Sequence, residues 1–177
     1  MSKTVCDHTS VGIIVTREEA LRSQILLIKS TKPPYEWTLP SGHADLVKLN
    51  PTEKEFKSAA RRELKEKTGL RAIQLYMIHQ ERTVRFCGRV NDNYHVWRIY
   101  ASVYLGKIDR NKEKAQDIAW FTRAELEEHV WFTARYQEGE VSEEEWLENP
   151  GLEPIWCNEL DILKLFDDAE KIFPLRP

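Results

Sequence analysis

The chain has 177 residues, of which 41% are hydrophobic and 31% are charged, and its formal net charge is −3. This length suits one domain with one sizeable core, and the composition is typical of globular proteins. Nucleic-acid backbones and anionic membranes attract basic surfaces, so the charge argues against both as main partners. We therefore predict a single domain over residues 1–177 with no nucleic-acid or membrane partner, and a homodimer stays open.

The cysteines Cys6, Cys87 and Cys157 are scattered along the chain and lack CxxC spacing. This pattern predicts reduced thiols, and it favours neither a disulfide framework nor a zinc site. The N-terminus has no apolar run of signal-peptide length, and the apolar runs 11–15 and 25–28 are too short to span a bilayer. The predicted location is therefore cytoplasmic.

Two short apolar runs open the chain and predict strands. Residues 11–15 and 24–28 are rich in β-branched side chains, as buried strands are. Residues 33–35 break the chain, and residues 37–40 follow as a short extended piece.

A helix is predicted next. Asn50 can cap it, Pro51 fits its first position, and Glu53 stands where a capping-box acid reaches back. We expect the helix to run to about Lys67, since Gly69 favours a left-handed stop. Its buried stripe comprises Phe56, Ala60 and Leu64, which are spaced four residues apart.

The second half of the chain begins with a predicted long hairpin. Residues 73–86 and 94–105 are rich in β-branched and aromatic side chains, and the residues between them favour turns. A short strand over 118–121 and a helix over 123–129 follow.

Residues 133–177 are expected to comprise an irregular acidic loop, as far as residue 154, and an amphipathic C-terminal helix over 158–172. The order of strands, helix, hairpin, strand and helices predicts an α/β fold. Its architecture would be an α/β/α sandwich around a mixed β-sheet.

Two glutamates on the first helix are the candidates for chemistry. Glu63 and Glu66 are three residues apart, so their carboxylates lie on one helix face. Magnesium prefers one or two carboxylates together with waters and substrate phosphate oxygens. Taken alone, the pair is also typical of an ordinary solvated helix face.

The wider segment 37–70 resembles the Nudix box, whose pattern is G-x5-E-x7-R-E-U-x-E-E-x-G-U, with U an aliphatic residue. The matching residues of the second half are Arg62, Glu63, Leu64, Glu66, Gly69 and Leu70. Residues 37–43 are similar to the W-x-L-P-x-G-h lead-in of that family. The family fold is an α/β/α sandwich, which agrees with the order of elements above.

The resemblance implies a hydrolase that cleaves a nucleoside diphosphate linked to another group, with Mg²⁺ or Mn²⁺ as cofactor. It implies that Glu63 and Glu66 are catalytic metal ligands and that Arg62 orients a box glutamate through a salt bridge. Gly42 would offer its carbonyl to a metal. Asp117 is similar to an acid that contacts metal or water in many members, although an ordinary turn acid fits it equally well.

The segment departs from the pattern in three ways. The interval from Gly42 to Arg62 is six residues longer than the pattern, and Lys54 stands where the pattern has glutamate. Lys67 replaces the second glutamate of the Glu-Glu pair, which puts an ammonium four residues after Glu63. Either Lys67 touches the diphosphate directly in a site with fewer metals, or catalysis is lost while ligand binding survives.

The expected substrate is a small molecule derived from a nucleotide. Trp37 could stack on a nucleobase and Arg82 could bind phosphate, although core packing and solvent exposure are the ordinary roles of such residues. With Lys67, they form the predicted substrate-binding set.

Besides the hydrolase, two hypotheses stay open: a Nudix-fold binding module, and an isomerase of allylic diphosphates. Gly42-His43 is similar to the isomerase motif, but Ser41 replaces its cysteine.

Overall fold

The computed structural model describes residues 6–20, 22–46, 51–84 and 94–173. Within these residues, seven strands form one sheet. The strands are β1 Thr9–Glu19, β2 Arg22–Lys29, β3 Trp37–Thr38, β4 Ser41–His43, β5 Arg71–Val84, β6 Tyr94–Leu105 and β7 Asp117–Thr122. The helices are α1 Glu53–Thr68, α2 Arg123–Gln137, α3 Glu143–Glu148, α4 Pro154–Asn158 and α5 Ile162–Ile172.

The sheet is mixed, as predicted, and β1 lies at its centre. The strand order is β3-β2-β1-β6-β5, with β4 also paired to β1 and β7 to β2. Strand β1 runs parallel to β6 and antiparallel to β2 and β4. The antiparallel pairing of β5 with β6 confirms the predicted hairpin, whose connecting residues 85–93 lie outside the described ranges.

Both faces of the sheet are covered by helices, which confirms the α/β/α sandwich. Successive side chains of a strand point to opposite faces. Val11, Ile13 and Val15 therefore pack with the apolar stripe of α1, whereas Ile14 packs on the other face with residues of α2, α4 and α5. The core thus has one layer on each side of β1.

Helix α1 carries its predicted buried stripe. Phe56, Ala60 and Leu64 are all buried. The helix ends as predicted at Gly69, which adopts a left-handed φ of 77° and donates its N–H to the carbonyl of Lys65 at 2.9 Å. A glycine adopts this conformation without the strain that a Cβ would add.

The predicted start of α1 is corrected. The N-cap is Thr52, and its backbone N–H donates to Oε2 of Glu55 at 2.8 Å. Glu53 is the first helical residue, so the capping-box acid is Glu55. Asn50, the predicted cap, lies outside the described residues. A threonine followed three residues later by glutamate fits the capping-box pattern better than the predicted pair does.

The prediction that residues 133–154 are irregular is wrong in part. Helix α2 continues past residue 129 to Gln137, and α3 forms within the acidic segment. The cause is tertiary packing: Trp146 is fully buried, and its ring stacks on Tyr136 of α2 at a centroid distance of 4.1 Å. The helix predicted over 158–172 begins later, at Ile162, because its N-cap Asp161 adopts a left-handed φ of 44°.

The two tryptophans Trp156 and Trp131 offer a matched stability test. Trp156 is fully buried, and its indole N–H donates to Thr38 Oγ1 at 2.7 Å, whereas Trp131 is 61% exposed. We expect Trp156→Ala to lower the free energy of unfolding by about 3–5 kcal/mol, because a large cavity opens in the core. Trp131→Ala should cost less than ~1 kcal/mol. Urea denaturation measures both, and equal losses would contradict the packing described here.

Candidate active site

The site is built where α1 crosses β4. Gly42 lies on β4, opposite Val11 of β1, and Glu63 projects from α1 onto it. A Cβ added at Gly42 would lie 2.2 Å from Glu63 Oε2 and 2.5 Å from its carboxyl carbon. Glycine at this position leaves the space that the carboxylate occupies, and any side chain would force the carboxylate to shift.

The carboxylate of Glu63 lies between two cations. Its residue is only 9% exposed, and its Oε1 accepts a hydrogen bond from Nη2 of Arg62 at 3.1 Å. Its Oε2 is 3.6 Å from Nζ of Lys67. A buried charge is tolerated only when it is paired in this way.

Arg62 links α1 to the chain that follows β4. Its Nη2 donates to the carbonyl oxygen of His43 at 2.8 Å and lies 3.6 Å from Oδ2 of Asp45. The same nitrogen contacts Glu63, so one guanidinium group fixes both the loop and the carboxylate. This is the position from which Arg62 was predicted to orient a box glutamate.

Lys67 turns inward rather than into solvent. Its Nζ donates a hydrogen bond to the carbonyl oxygen of Ser41, and its side chain is 18% exposed. Burial lowers the pKa of Lys67 below its usual value, and the neighbouring Glu63 carboxylate opposes that shift. The ammonium group thus lies between a backbone carbonyl and a carboxylate, both of which are oxygen donors of the kind that also bind metal ions.

Glu63 and Glu66 both line one cleft of about 640 Å³, hereafter the box cleft. Its charged lining residues are Lys32, Asp45, Arg62, Glu63, Glu66, Lys67, Glu113 and Lys114. Glu66 is exposed, and no cation in the described part of the chain forms an ion pair with it. The cleft therefore offers one carboxylate already held by cations and one that is open.

These donors fit one divalent cation at the open side of the box cleft. Arg62 donates to Oε1 of Glu63 and Lys67 lies 3.6 Å from Oε2, so both oxygens of this carboxylate face a cation. Glu66 remains available, with Glu63 beside it on the same helix face, and magnesium keeps several waters when one or two carboxylates bind it. The arrangement thus suits a metal held jointly by protein and substrate oxygens.

Three predicted site residues lie apart from the box cleft. Asp117 begins β7 and is not among the lining residues; its carboxylate is 62% exposed and 3.8 Å from Nη1 of Arg110. Trp37 packs edge-on against Phe121 at a centroid distance of 5.0 Å. Arg82 lies on β5, where its guanidinium stacks on the ring of Tyr94 at 4.2 Å.

Sequence reasoning missed four charged residues of the cleft. Asp45 and Lys32 lie in the chain that flanks β3 and β4, while Glu113 and Lys114 precede β7. They belong to charged loop segments that no spacing distinguishes from a solvated surface.

No helix in the described ranges is long and apolar enough to cross a membrane.

Comparison with known proteins agrees with this geometry. A sequence model of the NUDIX domain matches residues 7–146. The chain belongs to the NUDIX family. The matched residues of this Nudix protein include all seven strands of the described part, helix α1 and the whole box cleft.

A curated relative of the Nudix chain is the bis(5'-nucleosyl)-tetraphosphatase (asymmetrical) of Caenorhabditis elegans, which is 36% identical over 72 residues. That match covers 41% of the present chain and 47% of the relative, so the chain matches about half the length of that protein. Family membership and this relative support Nudix hydrolase activity in general.

Solved structures show the same fold. A MutT NUDIX hydrolase from Burkholderia pseudomallei superposes with a TM-score of 0.51 at 21% identity, over 67% of this chain and 84% of that one. A C. elegans Ap4A hydrolase binary complex gives a TM-score of 0.50 at 22% identity, over 74% and 89% of the two chains. At these identities, the likeness concerns the fold alone.

The contact between Gly42 and Glu63 can be tested by a double-mutant cycle. Gly42→Ala should lower the free energy of unfolding by about 1–3 kcal/mol, because the new methyl group overlaps the carboxylate. Adding Glu63→Ala removes the overlapping atoms, so the cost of the Gly42→Ala change should shrink in that background. Thermal and urea unfolding of the four proteins give the coupling energy, and strictly additive costs would contradict the contact.

Proposed function

We propose that this Nudix protein is a magnesium-dependent pyrophosphohydrolase that cleaves the diphosphate linkage of a nucleoside diphosphate derivative. The observation that carries the proposal is the convergence of Glu63 and Glu66 on one cleft that also contains several cationic side chains. Carboxylates without cations would repel a diphosphate, whereas this mixture can hold both phosphate and a metal ion.

The position of each cleft residue suggests a separate role in binding the metal or the substrate. Glu66 and Glu63 would hold the metal, while Gly42 provides the space that Glu63 occupies. When bound, Mg²⁺ or Mn²⁺ neutralises the diphosphate, orients a water and stabilises the charge that develops as the bond breaks. Arg62 keeps the Glu63 carboxylate in place through its bond to Oε1. Asp117 stays a candidate for an assisting role from outside the cleft.

Lys67 gives this cleft a fixed positive charge where the family pattern has a third acid. Its ammonium lies 3.6 Å from the carboxylate of Glu63, while the guanidinium of Arg62 is shared between Glu63 and Asp45. An ammonium in place of the third acid favours an anionic phosphate over an additional metal ion. The proposed site therefore uses fewer metals, and Lys67 interacts with the substrate diphosphate.

A dinucleoside polyphosphate is the first substrate to test. The worm relative whose name specifies a bis(5'-nucleosyl)-tetraphosphatase supports this order. Lys32 and Lys114 also line the cleft and offer cations beyond Lys67 to the further phosphates of a polyphosphate chain, with Asp45 and Glu113 among them. ADP-ribose, nucleoside triphosphates and nucleotide sugars complete the panel.

Glu66→Gln tests the metal assignment. With magnesium present, we expect its kcat/KM on the best substrate of the panel to fall at least ~100-fold, or ~2.7 kcal/mol of transition-state stabilisation. The amide keeps the shape of the side chain but loses the charge that binds the metal. Glu144→Gln, which neutralises an exposed glutamate on α3, should leave the rate unchanged. An unchanged rate in Glu66→Gln would remove that residue from the metal site.

A second function, ligand binding without turnover, is favoured by one observation. Lys67 already satisfies the Ser41 carbonyl and Glu63, which are oxygen donors that a metal would otherwise use. A protein of this kind would be stabilised by its nucleotide ligand and leave it intact.

Substitutions of Lys67 separate the two functions. If the chain is a hydrolase, Lys67→Met should lower turnover by about 10-fold or more, because a cation that faces the diphosphate is lost. Lys65→Met, on the same helix but outside the box cleft, is the matched control. If the chain only binds its ligand, the wild type will show no turnover with magnesium, and Lys67→Glu will create it. Chromatography of the reaction products measures turnover by the wild type and by each variant.

A further inference from the structure

A second cluster of ligand-type side chains lies beside the box cleft. Cys6 precedes β1, His43 ends β4 and His95 lies near the start of β6. One ligand atom from each, a sulfur or an imidazole nitrogen, lies within 4.8 Å of the other two. Cys6 is 4% exposed and His95 is 6% exposed, so the cluster is largely shielded from water.

The separation of the two buried ligands fits a zinc ion. Tetrahedral zinc holds sulfur at about 2.3 Å and nitrogen at about 2.0–2.1 Å, which places those two atoms roughly 3.6 Å apart. Cys6 Sγ and His95 Nε2 are 3.6 Å apart. The His43 ring lies nearly perpendicular to that of His95, at 76° and a centroid distance of 4.9 Å. A shift of about 1 Å brings the third ligand to the same spacing.

Ser10 orients His95 in the way that metal-binding histidines are oriented. Its Oγ lies 2.8 Å from Nδ1 of His95, and the serine is only 2% exposed. A hydroxyl that accepts the Nδ1 proton leaves the lone pair on Nε2, the nitrogen that faces Cys6. The second nitrogen of a metal-bound histidine normally has a partner of this kind.

We propose that Cys6, His43 and His95 form a zinc site that is separate from the magnesium ligands of the box cleft. A thiolate and two imidazoles are soft or borderline donors and select Zn²⁺ over Mg²⁺, whereas the carboxylates of Glu63 and Glu66 favour Mg²⁺. Zinc replaces the thiol proton of Cys6, which leaves to solvent. Three protein ligands leave a fourth position for water or another small ligand.

The proposed ion would join three segments that are distant in sequence. It links the residues before β1 to β4 and to β6, directly beside Gly42. His43 is also a lining residue of the box cleft, so the two sites share a wall. The inference does not depend on hydrolysis, since zinc would bind equally well to a chain that turns nothing over.

Cobalt titration of the full chain tests the site. Metal-stripped protein should bind one Co²⁺ per chain with tetrahedral absorption in the visible and a thiolate-to-cobalt charge-transfer band in the near ultraviolet. Equimolar Zn²⁺ should displace the cobalt and abolish both signals. Cys6→Ser should lose the charge-transfer band, and His95→Gln should weaken binding at least ~10-fold.

Matched controls identify the thiol. Cys157 is the other cysteine in the described part of the chain, and Cys157→Ser should keep the full spectrum, as should Cys87→Ser. Glu66→Gln should also keep it, which separates this site from the box cleft. Absence of the thiolate band in the wild type, or its persistence in Cys6→Ser, would overturn the proposal. Circular dichroism will show whether each variant folds. If one does not, the presence or absence of the thiolate-to-cobalt band in the wild type still tests the proposal.

Discussion

The rest of the site depends on the space at Gly42, a glycine without a Cβ, into which the carboxylate of Glu63 projects. A carboxylate with so little exposure to water needs charged partners, and Arg62 and Lys67 provide them. Glycine in β4 lets the helix approach closely enough for this pairing. Because β4 is hydrogen-bonded to β1, the central strand of the sheet, the position of α1 is set by the core rather than by a loop.

Lys67 changes the electrostatics of that arrangement without disturbing its packing. Arg62 and Lys67 both face the carboxylate of Glu63, and Arg62 also lies 3.6 Å from Asp45. The Lys67 ammonium is bonded to the Ser41 carbonyl. A cation fixed by the protein needs no recruitment from solution, but it cannot rearrange its ligands as a metal ion can. The cleft therefore has cations of its own to offer an anionic ligand, independently of any metal ion.

The sequence was sufficient for features governed by local pattern. The strands at residues 11–15 and 24–28, the stripe of Phe56, Ala60 and Leu64, and the Gly69 stop follow from periodicity and backbone preference. Helix α3 was missed although Ser142, its N-cap, is followed three residues later by Glu145, as in the capping-box pattern. Only the burial of Trp146 against α2, a tertiary contact, was hidden from the sequence.

Contacts that depend on the pairing register of the strands could not be predicted from the sequence either. Pairing of Thr9 with Val96 brings the segment before β1 next to His95, and the spacing of Cys6 in the chain gives no sign of it. Glu113 and Lys114 reach the cleft through a loop, and the prediction for Asp117 rested on the chain neighbours of that residue alone.

Trp37 ties the lead-in of the Nudix box to a segment beyond residue 146. Its N–H donates to the carbonyl of Gly151 and its carbonyl accepts from the N–H of Glu153, while Thr38 accepts from the indole of Trp156. The family match ends at residue 146, before all three of these partners. A fragment trimmed to the matched boundaries would leave a gap in the core where Trp156 belongs and would remove the backbone partners of Trp37. In this protein, the packed core extends beyond the residues of the family match.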